Sequence, residues 1–406
     1  MIERKEYLRQ LESWKDKHII KVITGIRRCG KSTLLKQFQS KLIENGISKE
    51  QIISINFEDM QFEDLLDYKN LYQFIKSKII EDKKMYIFLD EVQKVDQYEN
   101  VVDSLFINDF IDVYITGSNS YLFSGQLATN LRGRYIELSI LPLSFKEYYQ
   151  YKNDDKSHCF MNYMKTGGFP YLLNIDDNNE NVNMYIEGIY NTVLIKDIEE
   201  RLNRKQRKNN NSSLTDVALL KSISKYLSSV VGSPISIRSI TNYLISNERK
   251  VSPNTVSEYI TSLCDSYLYY PVEPMDISGK ELLKSNKKYY IVDLGIRNYI
   301  LPKKRYDLGF SIENIVYFEL HRRGYEVYIG KNKNLEVDFI AKKNNEYTYI
   351  QVTASMLEES TFEREITPLR EIRDNYPKII LTLDEFTVGN YEGIKVINVI
   401  DWLLEE

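Results

Sequence analysis

Two glycines, Gly25 and Gly30, bracket the segment Gly25-Ile-Arg-Arg-Cys-Gly30-Lys31-Ser32-Thr33, which follows an apolar run at 19–23 and opens an amphipathic stretch. Glycine allows backbone angles and close approach that a Cβ would obstruct, so successive N–H groups can converge on phosphate oxygens. A helix starting at this point adds its positive end to the same anion. Lys31 supplies charge for the β- and γ-phosphates of a nucleotide, Ser32 offers a hydroxyl to Mg²⁺, and Thr33 completes the binding set. The segment reads as strand, phosphate-binding loop and helix.

A second group of residues fits the first. Met85-Tyr-Ile-Phe-Leu-Asp90-Glu91 is a short apolar run ending in two carboxylates. Asp90 is the expected partner of the metal ion and Glu91 the expected base that polarises an attacking water. Cys29 lies inside the loop, either as an inert loop residue or as a thiol whose pKa the same N–H dipoles would lower.

These side chains must be held by a sheet. From residue 19 to about 143, apolar runs alternate with helix-like segments, the signature of a parallel sheet wrapped by helices. Candidate strands are 19–24, 51–57, 85–89, 112–116 and 135–139. Because the strand at 51–57 intervenes in sequence, the two motif strands need not be neighbours in the sheet. The fourth strand ends in Ile115-Thr-Gly-Ser-Asn119, where ligands of open α/β sheets collect. Thr116, Ser118 and Asn119 are either γ-phosphate sensors or a plain polar turn. Leu131-Arg-Gly-Arg134 precedes the fifth strand, and Arg134 is either a surface arginine or a group that neutralises transition-state charge, from its own chain or a neighbour's.

Bulk properties are those of a modular protein. With 406 residues the chain can hold two to four domains, and 43% hydrophobic with 28% charged residues is ordinary composition. No apolar run approaches the roughly 20 residues of a membrane span, and the charged start lacks a leader's apolar core. Cys29, Cys159 and Cys264 are too scattered for a disulfide framework or a metal knuckle, so a reducing cytoplasm is expected. A net charge of −4 gives no global attraction to nucleic acid.

Beyond 145 the pattern turns helical, passing Gly167-Gly-Phe-Pro170 to a helix expected at about 181–200. The basic, low-complexity stretch 203–213 reads as an exposed interdomain loop, with nucleic-acid contact as the alternative. Leu219, Leu220, Ile223, Tyr226, Leu227 and Val230 recur at helical spacing. Ser252-Pro253 offers an N-cap and first-turn proline to a segment carrying Val256, Tyr259, Ile260 and Leu263. Three helices and two β-like runs, at 267–272 and 288–292, make a winged-helix pattern. The third helix shows Asn254, Thr255, Ser257, Glu258, Thr261 and Ser262 on its expected outer face. Only Asn254 is a strong base reader, so packing is favoured over DNA reading, although Arg249 and Lys250 keep the latter open.

The last segment carries Glu313 and Glu319 on a helix, Glu336-Val-Asp338 on a strand and Gln351-Val-Thr353 on another. This is the layout of the PD-(D/E)xK nuclease-like fold. An active centre needs a second strand carboxylate and a lysine where Gln351 and Thr353 stand. The reading is a degenerate nuclease fold.

Taken together, the chain resembles a family of prokaryotic AAA-type ATPases that pair an N-terminal P-loop domain with a C-terminal domain of unknown function bearing a nuclease-like core. The resemblance spans nearly the whole chain and rests on Gly25 to Thr33, Leu89-Asp-Glu-Val-Gln93, Ile115-Thr-Gly-Ser-Asn119, Leu131-Arg-Gly-Arg134, the Pro142-Leu-Ser-Phe-Lys-Glu-Tyr run, Gly167-Gly-Phe-Pro170, Glu336-Val-Asp338 and Ile350-Gln-Val352. It implies an ATP- and Mg²⁺-dependent hydrolase with Lys31 on phosphate, Ser32 and Asp90 on the metal, Glu91 as base and Ser118 or Asn119 near the γ-phosphate. The expected fold class is α/β: a P-loop NTPase core at 1–145, a helical extension and polar loop at 146–213, a winged-helix domain at 214–306 and a restriction-endonuclease-like domain at 307–406. Hydrolysis is expected to move the later domains. The alternative is an ATP-regulated DNA-binding or DNA-processing protein. A protein partner or a second copy is open, and no membrane association is expected.

Overall fold

The computed structural model describes residues 2–117, 133–175, 179–199, 216–284, 286–302, 308–333 and 335–405. The chain divides into two compact units, Met1–Pro142 with Asp265–Tyr267, and Leu143–Cys264 with Leu268–Glu406. Among the described residues no helix is long and apolar enough to cross a membrane.

The first unit is built on five parallel strands: β1 (Ile20–Thr24), β2 (Ile52–Asn56), β3 (Met85–Asp90), β4 (Ile111–Thr116) and β5 (Tyr135–Ser139). Their order across the sheet is β2-β3-β4-β1-β5. Helices α1 (Lys5–Trp14), α2 (Lys31–Glu44), α3 (Tyr68–Lys78) and α4 (Tyr98–Phe106) flank it. Strands β1, β3 and β4 are buried at every position, as near-continuous apolar runs require when helices cover both faces. This is the P-loop NTPase fold. Each expected strand is found within a residue of its expected limits. The motif strands β1 and β3 are separated by β4, so the segments that follow them flank the carboxyl end of β4.

Part of this core is polar. Lys21 on β1 is fully buried against Asp112 on β4, and also donates to the Lys17 carbonyl at 2.7 Å. Burial pulls the lysine pKa down while Asp112 pushes it back up. Tyr114 stacks on Phe88 at 4.7 Å between centroids, and Phe38 of α2 tilts against Tyr114 at 5.4 Å.

The second unit begins with α5 (Phe145–Lys152), α6 (Lys156–Thr166) and α7 (Asn179–Asn191). The α7 helix gives way to a π-helical stretch over Thr192–Glu199, where an uninterrupted helix was expected. Three helices follow, α8 (Val217–Ser229), α9 (Ile237–Ser246) and α10 (Pro253–Asp265), and then the antiparallel pair β6 (Tyr269–Val272) and β8 (Lys288–Ile291). The Ser252 hydroxyl accepts the Thr255 N–H at 3.1 Å and Pro253 is the first helical residue, which is the start read from sequence. Ser262 differs from expectation: it faces inward beside Leu263, with its hydroxyl satisfied by the Glu258 carbonyl at 2.9 Å.

A seven-stranded mixed sheet completes the unit, in the order β13-β14-β12-β11-β10-β9-β7. Its strands are β7 (Pro274–Asp276), β9 (Glu326–Asn332), β10 (Leu335–Lys343), β11 (Glu346–Thr353), β12 (Lys378–Thr382), β13 (Gly389–Tyr391) and β14 (Ile394–Asn398). Between them in sequence lie α11 (Leu294–Ile300), α12 (Leu308–Arg322) and α13 (Glu359–Arg370), with α14 (Val399–Leu404) at the end. Helix α12 is buried from Ser311 through Leu320, on all sides, including the polar Ser311, Glu313, Asn314 and Glu319.

Candidate functional site

The phosphate loop leaves β1 at Gly25, whose φ of 137° lies in the region that glycine tolerates. A Cβ there would lie 2.1 Å from the Ile140 carbonyl oxygen, so the loop root admits no side chain. Gly30, φ 105°, is the left-handed residue from which α2 departs. Between them the loop turns through Arg28, φ 68°. Lys31 is 4% exposed, and its ammonium donates to the Gly25 and Ile26 carbonyls at 2.9 and 3.2 Å. The loop therefore closes around its own cation, and the α2 N-terminus opens at the same place.

Asp90 ends β3 and Thr116 ends β4. The Thr116 hydroxyl donates to the Asp90 carboxylate and accepts the Glu91 N–H at 3.0 Å. The Ser32 hydroxyl also hydrogen-bonds Asp90. Burial pushes the Asp90 pKa up, against the lowering effect of these two hydroxyls. Glu91 takes a left-handed φ of 58° as the chain turns off the strand, and its carboxylate accepts Gln93 Nε2 at 2.6 Å. At the loop's opposite flank the Thr24 hydroxyl donates to Glu137 at 2.8 Å. Arg27 pairs with Glu58 at 3.3 Å.

The geometry thus brings together Gly25, Gly30, Lys31, Ser32, Asp90 and Glu91, with Thr33 in the first turn of the same helix. It does not bring Arg134 to them. Parallel pairing of Tyr135 with Ile20, at the start of β1, puts Arg134 at the opposite edge of the sheet, where its guanidinium lies over the Phe106 ring at 5.4 Å. A five-residue strand spans about 16 Å, so Arg134 is out of reach of its own loop. Ser118 and Asn119 lie outside the described residues, as does the basic stretch 203–213. Cys29 is fully buried and burial pushes its thiol pKa up, which favours the inert loop residue over the reactive thiol.

The donor set fits a nucleotide phosphate with Mg²⁺. One carboxylate and one hydroxyl are the hard oxygens a protein usually gives Mg²⁺ when phosphate and water complete its octahedron. The space beside Gly25 that a Cβ would fill is the close backbone approach an anion nest requires. Residues missed from sequence are Arg4 and Tyr7. Arg4 donates to the Cys29 and Leu141 carbonyls, and nothing in the linear pattern marks partners so far apart.

In the second unit, a separate polar cluster collects the acidic residues read as nuclease-like. The Lys288 ammonium, on β8, lies 3.1 Å from Glu313 and 2.8 Å from Glu336, with Asp338 at 3.7 Å. Tyr290 donates to Glu313 at 2.6 Å. Asp338 is also bound by the Val352 N–H at 2.9 Å, and Gln351 donates to Glu365 at 2.8 Å. Burial raises Asp338 and Glu313, while the three carboxylates raise Lys288 against the opposing effect of its own burial. Thr353 turns to the Ser355 carbonyl at 3.1 Å, and Glu319 pairs with Arg323 at 2.9 Å. Among the described residues no group of three or more His, Cys, Asp or Glu is arranged to hold a metal.

Comparison with known proteins adds the family. Residues 17–149 match the AAA domain, and residues 158–307 match a domain of unknown function, DUF8612. A protein of Haemophilus influenzae, described as uncharacterized, is 39% identical over 411 residues, covering 100% of this chain and 99% of its own. The chain belongs to this AAA-domain family. A second relative, an uncharacterized protein of Methanocaldococcus jannaschii, is 33% identical over 367 residues, covering 86% of this chain and 77% of its own. Among solved structures the chain is similar to the Walker-type ATPase of Pyrococcus abyssi, with 17% identity, a TM-score of 0.44 and coverage of 74% of this chain and 96% of that one. It is also similar to Cdc6p of Pyrobaculum aerophilum, with 12% identity, a TM-score of 0.30 and coverage of 75% and 95%.

Proposed function

We propose that this AAA-domain family member binds ATP with Mg²⁺ in the loop between β1 and α2 and hydrolyses it, and that the nucleotide state governs the arrangement of the second unit. The observation that carries the reading is the convergence of Lys31, Ser32, Asp90 and Glu91 at one sheet edge, with Thr116 bonded to both acidic residues. Loop N–H groups and Lys31 hold the β- and γ-phosphates. Ser32 and Asp90 hold the metal, which supplies charge neutralisation at the phosphoryl oxygens. Glu91 orients a water for attack and takes up its proton, while Gln93 holds the carboxylate in place.

Ser118 and Asn119, which follow Thr116 closely in the chain, keep the γ-phosphate-sensing role in this proposal. A role for Arg134 in hydrolysis requires a second copy, because the residue stands at the far edge of its own sheet. We read α8, α9 and α10 with β6 and β8 as a winged helix, and the sheet around β9, β10 and β11 as a nuclease-like fold that does not cut. The exposed positions on α10, Asn254, Ser257 and Thr261, carry no cation, which counts against DNA reading by this helix.

Steady-state phosphate release tests the reading. Lys31→Ala should abolish turnover, and Glu91→Gln should bind ATP without releasing phosphate. Wild-type turnover in both variants would overturn it.

A further inference from the structure

A buried arginine at the start of the chain reaches the phosphate loop. Arg4 caps α1 and is 4% exposed. Its guanidinium donates to the Cys29 carbonyl at 3.3 Å and to the Leu141 carbonyl at 3.1 Å. One helical turn on, the Tyr7 ring lies under the guanidinium at 4.7 Å, and the Tyr7 hydroxyl accepts the Leu141 N–H at 3.2 Å. Leu141 is thus held at both its N–H and its C=O. The preceding residue, Ile140, donates to the Thr24 carbonyl at 2.7 Å and sets its own carbonyl against Gly25. The first residues are anchored independently, since Gln37 of α2 donates to the Ile2 carbonyl at 2.6 Å.

The residue type matters here. A cation without hydrogen-bond partners is expensive to bury, and an apolar side chain would serve packing better. Arginine brings a planar fork of five N–H donors that can bind two carbonyls from distant segments at once, which a lysine ammonium cannot reproduce in the same plane. One of the two carbonyls belongs to the Cys29–Gly30 peptide, inside the loop. In a planar trans peptide, the C=O and the following N–H point in opposite directions. Whatever holds the Cys29 oxygen therefore also aims the Gly30 N–H, which belongs to the last residue before Lys31.

We propose that Arg4 is a positioning residue for nucleotide binding: by holding the Cys29 carbonyl it keeps the Gly30 N–H turned into the anion nest, and through Leu141 it ties that peptide to the segment leaving β5. This rests on reading the loop as the ATP site. The tie gives the loop a mechanical partner, because Leu141 stands one residue before the first unit ends at Pro142. Nucleotide that orders the Gly30 peptide would order residues 140–142 with it.

The full-length protein, Arg4→Ala and Arg4→Gln are titrated with fluorescent ADP and AMP analogues, using circular dichroism to establish that each is folded. Arg4→Ala should lose about ten- to hundredfold in ADP affinity, the loss of one charge-assisted hydrogen bond to phosphate. AMP, which lacks the β-phosphate that the nest grips, should change by about twofold or less. Arg4→Gln, whose single NH₂ can reach one carbonyl, should fall between Arg4→Ala and the wild type. A folded variant of either kind with wild-type ADP affinity would overturn the proposal, and so would equal losses for ADP and AMP. Absence of ADP binding by the wild type would instead remove the ATP-site reading and this inference with it.

Discussion

The Thr116 hydroxyl donates to the Asp90 carboxylate across the ends of two adjacent strands, and the same oxygen accepts the Glu91 N–H at 3.0 Å. One side chain therefore orients both the residue proposed to hold the metal and the backbone that carries the proposed base. Its place follows from the sheet order, since β4 separates β1 from β3.

Replacing Thr116 by Val keeps the shape and removes the hydroxyl. The buried Glu91 N–H then loses the Thr116 hydroxyl as acceptor, which costs about 1–3 kcal/mol. Turnover should fall about 10- to 100-fold, with a smaller change in affinity for Mg²⁺-free nucleotide. The measurement is kcat for ATP beside a nucleotide titration in EDTA. Unchanged kcat would show that Thr116 does not organise the site.

At the loop root, Gly25→Ala should abolish the rise in melting temperature that saturating ATP gives the wild type. The new Cβ meets the Ile140 carbonyl oxygen at 2.1 Å and the backbone must keep φ near 137°. Gly46→Ala is the control: its φ is 92° but nothing lies within 4 Å of the new atom, so it carries backbone strain alone. ATP should still stabilise Gly46→Ala, by about 2.7 kcal/mol at a hundredfold over the dissociation constant.

The convergence at the candidate phosphate site was legible in the sequence because its parts are local. Glycine spacing, the following Lys31-Ser32 pair and an apolar strand ending in Asp90-Glu91 each imply their own backbone geometry. Strand order was open at that level, and with it the bridging role of Thr116. Arg134 shows the limit of reading adjacency in sequence: it precedes a strand, and in a parallel sheet that puts it at the end away from the loop that follows β1. Ser262 was misplaced by one helical face because its hydroxyl can satisfy itself on the preceding turn. The carboxylates Glu313, Glu336 and Asp338 were legible as a group, but their lysine was not, because Lys288 on β8 meets residues from α12 and β10 that are distant in sequence and joined only by the fold.

Asp293 gives the second unit a pH dependence. Its carboxylate accepts the Gly168 N–H at 2.6 Å and the Gly295 N–H at 2.8 Å, and burial raises its pKa to about 6 from 3.8 despite these bonds. A raised folded-state pKa means that the folded chain holds this proton more tightly than the unfolded one. The stabilisation is therefore complete below pH 3.8 and is lost as pH rises through about 6. The stability of the wild type relative to Asp293→Asn should fall by up to about 3 kcal/mol between pH 4 and pH 7 and stay level above. Denaturant titrations of both proteins across that range check the sign, and a difference that grows with pH would refute it.

Lys288 decides what the acidic cluster can do. Its ammonium lies at hydrogen-bonding distance from Glu313 and Glu336 and faces Asp338, and Lys331 also pairs with Glu336, so two lysines of the chain stand where a divalent cation would bring its charge. Lys288→Met should therefore destabilise the protein by about 3–5 kcal/mol, because Glu313 and Asp338 are left largely buried without this cation, while Glu336 keeps Lys331. Glu313→Gln should cost less, since Glu336 still pairs with the ammonium and the amide oxygen still accepts the Tyr290 hydroxyl. The wild type, with its cluster intact, should not nick supercoiled plasmid in Mg²⁺ or Mn²⁺, with or without ATP. Nicking by the wild type that disappears in Asp338→Asn would show that the cluster opens to metal, and would restore the nuclease reading against the inward-bound lysine.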